Sequence, residues 1–467
     1  MVRGNPNGLR IFGVLALVAA FSCVDISSDA RAADVGATSL IPENANSCIA
    51  REDADHFITD FHIDVASFGG IELCDARSDF KKLASDIVII RDGRVFQAKG
   101  GSLEGGFVEA SVYYHWMQLQ TRGIERGQDI PTATAYNSHG YFTMQDGWAA
   151  APSLARVGTV LHEARHTAKF PHRPCTHGPY AALAYAGCDA SFAEGGAHAV
   201  EMEYYARVVA APSGFHPLFK RMARMMALAR SNIMFNDSPI RLREGLLVRR
   251  AEGMTLFDGS NQIERPLAPS TGRLKRSSFG ATLWSPEEQK VWALDLYESG
   301  LADTAARIGD AFSYFKLTNM PWLRPGADYF DLEEYDVGSG RSFLAVLADG
   351  SWSHYDFAHG VWHEWLQTGV RPLRWMRAGP DGSPGVGLLS DQGFLKLDSA
   401  SGRLAQPIPW PQDTTQFETV GGVRYRLQRS GELQSSASAQ EWKTIPLRSP
   451  GIEMVAAPLY DAFEVRL

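Results

Sequence analysis

Hydrophobic and polar positions follow two different patterns in the two halves of the chain. In the first half, apolar residues recur at helical spacing in some segments and form short runs in others. Leu154, Val157 and Leu161 recur at the three- and four-residue spacing of an amphipathic helix. This pattern predicts a helix over 154–168, with Ser153 as its N-cap.

Other segments of the first half predict a mixture of helices and strands. Two later helices are predicted over 191–210 and 215–230. The predicted strands are Ser85–Ile90, Arg94–Ala98 and Ala133–Met144, with a hairpin turn at Asp92-Gly93 between the first two. Such a mixture is typical of an α+β domain.

The second half of the chain consists of short apolar runs separated by small turns. Pairs of predicted strands lie at Leu247–Phe257, Ala281–Leu296, Ser342–Phe357, Gly385–Leu397 and Val423–Leu433, and residues 302–312 are predicted to be a helical insertion. Gly350, Gly393 and Gly431 occupy three of the turns and are 43 and 38 residues apart. A period near 40 residues is typical of propeller blades. We therefore predict an all-β domain, β-propeller-like with about five blades, and a β-sandwich as the alternative.

The N-terminal residues have the pattern of an export signal. Arg3 and Arg10 precede the apolar stretch Ile11–Phe21, and the small-residue motif Ala30-Arg31-Ala32 follows it. A membrane-spanning helix needs about twenty apolar residues, so no permanent membrane span is expected. Cleavage after Ala32 or Ala33 would deliver a secreted or periplasmic protein. The predicted organisation is a signal peptide over 1–32, a mixed domain over 33–245 and a β-rich domain over 246–467.

Composition and charge exclude several classes of protein. The 467 residues are 45% hydrophobic and 21% charged, which is ordinary for folded domains with a sizeable core. Lysine and arginine number 45 against 53 acidic residues, giving a net charge of −8, and no long basic run occurs. Nucleic acid is therefore not an expected partner, because its phosphates have little to attract them.

The cysteines agree with export. Four remain after signal cleavage, and an even number in an exported chain favours disulfides. Pairing of sequence neighbours predicts Cys48–Cys74 and Cys175–Cys188. Thiolate metal ligands are the competing interpretation, but the C-x-x-C spacing is absent.

The motif with the clearest chemistry is H-E-x-x-H at 162–166, within the predicted helix. His162 and His166 are four residues apart, so both imidazoles lie on one helical face and can bind one metal ion. Zn²⁺ held by three protein ligands keeps an open position for water. Glu163 is then placed to act as the general base. The alternative interpretation is a polar helix with two surface histidines.

A third histidine extends the motif. His162, Glu163, His166 and His172 match the signature H-E-x-x-H-x-x-G-x-x-H, and this segment resembles the metzincin family of zinc metallopeptidases. Lys169 stands where that family has glycine, at a left-handed turn that brings the third histidine back to the metal. Asn232–Phe235 resembles the methionine turn of the family, with Met234 as its methionine. The resemblance covers roughly residues 130–236 and implies a zincin-like fold.

Other residues compete with His172 for the third ligand position. Glu194 and Asp189 are the rival carboxylates, of the kind used by gluzincins and aspzincins, and His198 lies nearby. Ser191 and Glu194 also fit an S-x-x-E capping box, which explains Glu194 without a metal. Glu201 and Glu203 are expected on a solvated face or behind the ligands.

Two hypotheses for function follow from the sequence. The first is an exported zinc-dependent metallopeptidase that acts on a protein or peptide substrate. In it, His162, His166 and His172 bind Zn²⁺ and Glu163 is the catalytic base. The second is a binding or scaffold protein in which the β-propeller recognises a partner and zinc is structural or absent.

Overall fold

The structure is a computed structural model that describes residues 48–93, 95, 106–109, 112–128, 134–151, 153–177, 181, 186–211, 215, 217–259, 261–265, 272–278, 280–287, 290–294, 296, 312–316, 327–337, 340–356, 361–398, 401–438 and 440–460. The chain forms two units that divide between Ile240 and Arg241. The predicted signal peptide lies outside the described residues. The predicted boundary after residue 245 falls within the first strand of the second unit, Leu242–Arg250. Among the described residues, no helix has both the length and the apolar character needed to cross a membrane.

The first unit combines helices with two small sheets. Its α-helices are α1 (Arg51–Phe61), α2 (Asp79–Asp92), α3 (Tyr113–Gln120), α4 (Asp146–Ala150), α5 (Ser153–Thr167), α6 (Ala197–Ala210) and α7 (Pro217–Ile233). Its strands are β1 (Gly123–Arg126), β2 (Ala135–Ser138), β3 (Tyr141–Met144), β4 (Arg173–Pro174), β5 (Ala186–Ser191) and β6 (Phe235–Asp237). One sheet has the order β1-β3-β2 and the other β4-β5-β6. This mixture agrees with the predicted α+β class.

The predicted strand Ser85–Ile90 is wrong, because these residues belong to helix α2. The Ser78 side chain caps this helix by accepting a hydrogen bond from the Lys81 backbone N–H. The helix buries an apolar face consisting of Phe80, Leu83, Ile87 and Ile90. Asp92-Gly93, predicted as a hairpin turn, is the end of the helix. Of the predicted strand Arg94–Ala98, all but Val95 lies outside the described residues.

The predicted strand Ala133–Met144 is a hairpin of two strands, β2 and β3. His139 and Gly140 form the turn, with φ of 55° and 97°. Two consecutive residues at positive φ are typical of the two-residue turns that match the twist of a hairpin. Strand β3 pairs in parallel with β1, and β2 pairs antiparallel with β3 at the edge of the sheet.

The predicted helix over 154–168 is confirmed as α5, although Ser153 is its first residue rather than the residue before it. The predicted apolar face is fully buried: Leu154, Val157, Val160, Leu161 and Ala164. Helix α5 packs against α2 and α6 in the core of the first unit. The helix predicted over 191–210 begins only at Ala197, and the one predicted over 215–230 is α7.

Both predicted disulfides, Cys48–Cys74 and Cys175–Cys188, are confirmed. The second joins Cys175, just after β4, to Cys188 within β5. Stable disulfides form in oxidising compartments, so both bonds are consistent with export.

The second unit is all-β in its described residues. Its strands are β7 (Leu242–Arg250), β8 (Met254–Asp258), β9 (Asn261–Arg265), β10 (Arg273–Ser277), β11 (Gly280–Ser285), β12 (Lys290–Leu294), β13 (Phe312–Lys316), β14 (Tyr329–Val337), β15 (Gly340–Leu347), β16 (Ser351–Asp356), β17 (Val361–Trp362), β18 (Leu366–Gln367), β19 (Pro372–Ala378), β20 (Pro384–Ser390), β21 (Gly393–Asp398), β22 (Arg403–Leu404), β23 (Thr414–Val420), β24 (Val423–Gln428), β25 (Leu433–Ser436), β26 (Lys443–Ile445) and β27 (Gly451–Tyr460). They form five antiparallel sheets: β10-β11-β12-β13, β14-β15-β16-β17 with β18, β19-β20-β21-β22, β23-β24-β25-β26 and β27-β7-β8-β9.

The five sheets of these described strands are arranged in a closed ring. Strand β10 packs against β14, β14 against β19, β19 against β23, β23 against β27, and β27 against β10. The ring closes within one sheet, because β27 pairs with β7 from Gly451↔Arg250 to Tyr460↔Leu242. This arrangement is β-propeller-like, as predicted. It differs from the alternative β-sandwich, in which two sheets face each other.

The predicted turn glycines occupy equivalent places in four of the sheets. Gly253, Gly350, Gly393 and Gly431 all lie at the hairpin between the second and third strand of a sheet. Gly350 and Gly431 have φ of 82° and 84°, a conformation that residues with a Cβ rarely adopt. The sequence spacing of these glycines therefore reflects the repetition of the sheets along the chain. The predicted helical insertion at 302–312 lies outside the described residues, apart from Phe312 in β13.

Buried charges connect the central strands of the ring. Lys275 on β10 donates to Asp331 (2.8 Å) and Glu333 (3.2 Å) on β14. Asp331 also accepts the Trp375 backbone N–H of β19 (2.6 Å), and its side chain is inaccessible to solvent. Arg377 donates to Glu333 (2.7 Å). Three consecutive sheets are therefore joined through one buried network.

A second ion pair crosses the ring. Arg374 on β19 donates to Glu453 on β27 (2.9 Å), although these strands are not neighbours in the ring. Glu453 also accepts the backbone N–H of Leu274 on β10 (3.1 Å). Side chains from opposite strands thus meet across the centre of the ring.

Candidate metal centre

Three histidine rings converge at the end of helix α5. His162 Nε2 lies 3.0 Å from His172 Nε2 and 3.2 Å from His166 Nε2. Nitrogens bound tetrahedrally to one Zn²⁺ are about 3.3 Å apart, given Zn–N bonds of about 2.05 Å. The spacing of these Nε2 atoms therefore fits a shared zinc ion.

The hydrogen bonds of the other ring nitrogens show why a cation fits between the three. His166 Nδ1 lies 2.7 Å from the Phe170 carbonyl oxygen, and His172 Nδ1 lies 3.3 Å from Asp189 Oδ1. Both partners are pure acceptors, so each Nδ1 carries the hydrogen and each Nε2 keeps its lone pair. The lone pairs on Nε2 of His166 and His172 both face His162 Nε2, at 3.2 and 3.0 Å, and a cation between the three nitrogens would be bound by them. The donor set thus suits a metal ion.

Burial keeps these imidazoles neutral. It lowers the pKa of His166 to about 3, and it also lowers the pKa of His162 and His172. Neutral imidazole is the form that binds metals. At pH 7 the three imidazoles are therefore in the form that binds a metal ion.

The chain reverses direction at Lys169 to bring His172 back. Helix α5 ends at Thr167, and Lys169 has φ of 67°, which is the left-handed conformation expected at this position. The Lys169 N–H donates to the His166 carbonyl (2.9 Å), and this bond closes the turn. His172 lies three residues beyond, with its side chain fully buried against Asp189.

Replacing Lys169 with glycine is expected to stabilise the protein by about 0.5–1 kcal/mol, because the left-handed conformation no longer strains a Cβ. Lys169 is exposed, so the substitution removes little packing. The denaturant midpoint of the metal-free protein measures the effect. Lys169→Ala is the control, since it removes the lysine but keeps the strain. A midpoint for Lys169→Gly no higher than for Lys169→Ala would contradict the explanation.

Glu163 lies on the same helix, next to His162, and is 4% exposed. Its Oε2 is buried without a hydrogen-bond partner. Burial, with a further contribution from the charge of Glu201, raises the pKa of Glu163 to about 8. A carboxyl group with a pKa near the working pH can both accept and return a proton.

The rival ligands take other positions. Glu194 is exposed and forms an ion pair with Arg173 (3.5 Å), so it does not join the histidines. Asp189 lies behind His172, and its Oδ1 accepts the hydrogen of His172 Nδ1. The other carboxylate oxygen of Asp189 accepts the Ala199 backbone N–H. The predicted capping box is wrong, because the Ser191 side chain makes no cap hydrogen bond and α6 begins later.

Met234 follows helix α7 and is buried. Its carbonyl oxygen accepts the Asp189 backbone N–H (2.9 Å). It therefore supports the strand that carries Asp189.

Glu201 occupies one of the two places expected from the sequence, which did not single it out from Glu203. It was expected on a solvated face or behind the ligands, and it is buried behind His162. Burial raises its pKa, but Arg230 and the facing imidazoles outweigh burial and hold the pKa of Glu201 well below its ordinary value. The spacing of His198, Glu201 and Tyr205 places all three on one face of α6 and is the signal that indicates this cluster.

Comparisons with known proteins give only partial structural similarity. No protein-family model matches the chain, and no curated protein sequence is similar to it. Three solved structures are similar to parts of it: a complex of BBS1N with ARL6DN (12% identity, 45% of this chain and 66% of that chain, TM-score 0.24), AztD from Citrobacter koseri (11%, 47% and 60%, 0.22) and BamB from Moraxella catarrhalis (13%, 43% and 59%, 0.20). This chain therefore spans less than two thirds of the length of each.

Proposed function

We propose that this protein is an exported zinc-dependent metallopeptidase, in which His162, His166 and His172 bind zinc and Glu163 is the general base. The observation that carries the proposal is the convergence of three Nε2 atoms, on the buried imidazoles of His162 and His172 and the partly buried one of His166. Glu163 comes from the same helix and has a free buried oxygen.

The metal ion and the protein side chains would contribute different parts of the chemistry. Bound zinc lowers the pKa of water to about 7 and polarises a carbonyl group. Glu163 Oε2 takes the proton of the attacking water and returns it to the leaving amine. Because Glu163 is buried, bulk water does not compete for that proton. The three histidines stay neutral throughout, since burial disfavours their charged forms.

The edge strand β2 supports a peptide as the substrate class. Asn137 on β2 donates to the Glu163 carbonyl oxygen and to Thr167 Oγ1 (2.8 Å), so the strand is fixed beside helix α5. Among the residues that the structure describes, β2 pairs only with β3. An extended peptide bound to such an edge through main-chain hydrogen bonds would run beside helix α5, which carries His162 and His166.

Metal analysis tests the proposal. The purified protein is expected to contain about one zinc per chain, because the donor set provides one three-histidine site. His166→Ala is expected to lose the zinc. His177→Ala is the control, since His177 is exposed and its Nδ1 lies 3.5 Å from the Thr176 hydroxyl, away from the three converging histidines. Failure of the native protein to take up zinc, or retention of zinc by His166→Ala, would overturn the metal site.

A second candidate function is partner binding by the ring of sheets. Leu373 and Ile452 are 41% and 50% exposed and flank the residues of the Arg374–Glu453 ion pair. Exposed apolar side chains next in sequence to this ion pair would suit contact with another protein. In this case the protein would bind its partner equally well after loss of Glu163.

A further inference from the structure

A buried carboxylate lies directly behind the proposed zinc ligand His162. Glu201 Oε2 lies 3.6 Å from His162 Nδ1, and the Glu201 side chain is 1% exposed. This contact is on the side of the ring opposite to Nε2. Glu201 is therefore placed to act on the ligand and not on the ion.

The two oxygens of Glu201 have different environments. Oε1 accepts from the Tyr205 hydroxyl (2.7 Å) and from Arg230 Nε and Nη2 (3.0 and 2.7 Å). Oε2 is buried and has no other hydrogen-bond partner. Arg230 and Tyr205 thus hold the carboxylate in place through one oxygen, and the other oxygen is left to face His162.

The neighbouring His198 does not supply a hydrogen to this oxygen. Its Nδ1 lies 3.5 Å from Glu201 Oε2, but its Nε2 lies 3.1 Å from the Gly187 carbonyl oxygen. A carbonyl oxygen only accepts, so His198 carries a hydrogen on Nε2, and in the tautomer with that single hydrogen its Nδ1 has none to donate. His162 is therefore the donor available to Oε2.

Helix α5 is shaped to admit this carboxylate. Gly158 lies one turn before His162, and a Cβ at this position would overlap the Tyr205 hydroxyl and lie 2.9 Å from Glu201 Oε1. Glycine within a helix is unfavourable by about 1 kcal/mol relative to alanine. The close approach of Glu201 and Tyr205 gives a reason for glycine here.

We propose that Glu201 is a positioning residue that holds His162 in the Nδ1–H form, so that its Nε2 lone pair points at the metal. The inference rests on the proposed function. A neutral imidazole can carry its hydrogen on either nitrogen, and only one form binds the ion through Nε2. Arg230 and Tyr205 keep the acceptor fixed, and Glu201 thereby selects that form.

Glu201→Gln tests this role sharply. Arg230 and Tyr205 are donors, so they hold the amide oxygen in the place of Oε1 and turn the amide NH₂ toward His162. The NH₂ group is a donor and opposes the Nδ1–H form. Zinc affinity is expected to fall about 10- to 100-fold, as for other lost partners of metal-binding histidines. The visible absorption spectrum of the Co²⁺-substituted protein is expected to change as well, because ligand geometry changes.

Glu203→Gln is the matched control. Glu203 lies on the same helix, is equally buried and accepts from Arg207 (2.8 Å) and from the Gly106 N–H (2.7 Å). It contacts none of the histidines among the described residues. Its substitution removes a buried charge of the same kind but should leave zinc affinity and the Co²⁺ spectrum unchanged. Equal zinc affinities of the two variants would overturn the role of Glu201 and leave the metal site intact.

A measurement on the unaltered protein covers the case in which Glu201→Gln does not fold. In a crystal structure of the zinc-loaded protein, Nδ1 of His162 is expected within about 3.2 Å of Glu201 Oε2, at hydrogen-bond distance. A larger separation, or coordination through Nδ1, would overturn the positioning role alone. Absence of zinc from the three histidines would overturn the proposed function and the positioning role together.

Discussion

Glu163→Gln is expected to lower kcat for peptide hydrolysis by about 100- to 10,000-fold, the range typical of a lost general base. The amide keeps the size of the side chain but cannot accept a proton from water. Zinc content should stay unchanged, because Glu163 Oε2 is not among the converging ligand atoms. The measurement is hydrolysis of an unstructured protein substrate at pH 7, with zinc content determined on the same sample.

Glu194→Gln is the control for this experiment. Glu194 is one of the carboxylates that the sequence offers as an alternative third metal ligand. It is exposed and forms an ion pair with Arg173. Its substitution is expected to leave both kcat and zinc content unchanged. Full hydrolytic activity in Glu163→Gln would exclude Glu163 as the base. Absence of hydrolysis from the native protein, together with binding of a partner, would support the second candidate function.

Asp331→Ala is expected to destabilise the second unit by about 3–5 kcal/mol, because it removes one of the two carboxylates that pair with buried Lys275 and also the acceptor of a buried backbone N–H. Lys275 would keep only Glu333, and the Trp375 N–H would lose its acceptor. Tryptophan fluorescence during denaturant unfolding measures the loss. Trp284, Trp352 and Trp375 lie in this unit and are buried.

Arg448→Ala provides the comparison for Asp331→Ala. Arg448 is largely exposed and lies 4.0 Å from Glu264 in a surface ion pair of the same unit. Surface pairs contribute about 0–1 kcal/mol, so its midpoint should barely move. If the midpoint of Asp331→Ala moved no further than that of Arg448→Ala, the buried network would not stabilise the ring.

The local sequence pattern predicts those structural features that depend on a single helix or a single turn. The spacing of His162 and His166 places both rings on one helical face, and this needs no other part of the chain. The turn glycines 350, 393 and 431 likewise mark hairpins directly. Helix α2 shows the limit of such patterns. Its run Ile87–Ile90 favours a strand locally, but burial of a helical face in the core outweighs that preference.

The contacts that position the ligands join residues far apart in the chain. Glu201 lies 39 positions after His162, and Arg230 lies 29 positions after Glu201. The spacing of His198, Glu201 and Tyr205 places these three on one face of α6, but it does not show that this face meets His162. The same holds for the charges at the centre of the ring. The Lys275–Asp331 pair becomes apparent only once the sheets are assembled.

Because β27 closes the ring, the ring can be completed only after the last of its strands has folded. Strand β27 follows every other described strand of the ring in sequence. It pairs with β7 in its own sheet and packs against β10 and β23 of the two neighbouring sheets. The pairing of Gly451 with Arg250 joins residues about 200 positions apart. Contacts of such long range form slowly, and until they form, β7 presents an unpaired backbone edge that invites aggregation. A chain without residues 451–460 would therefore keep this edge of β7 exposed, and a protease that cut this one strand would open the ring.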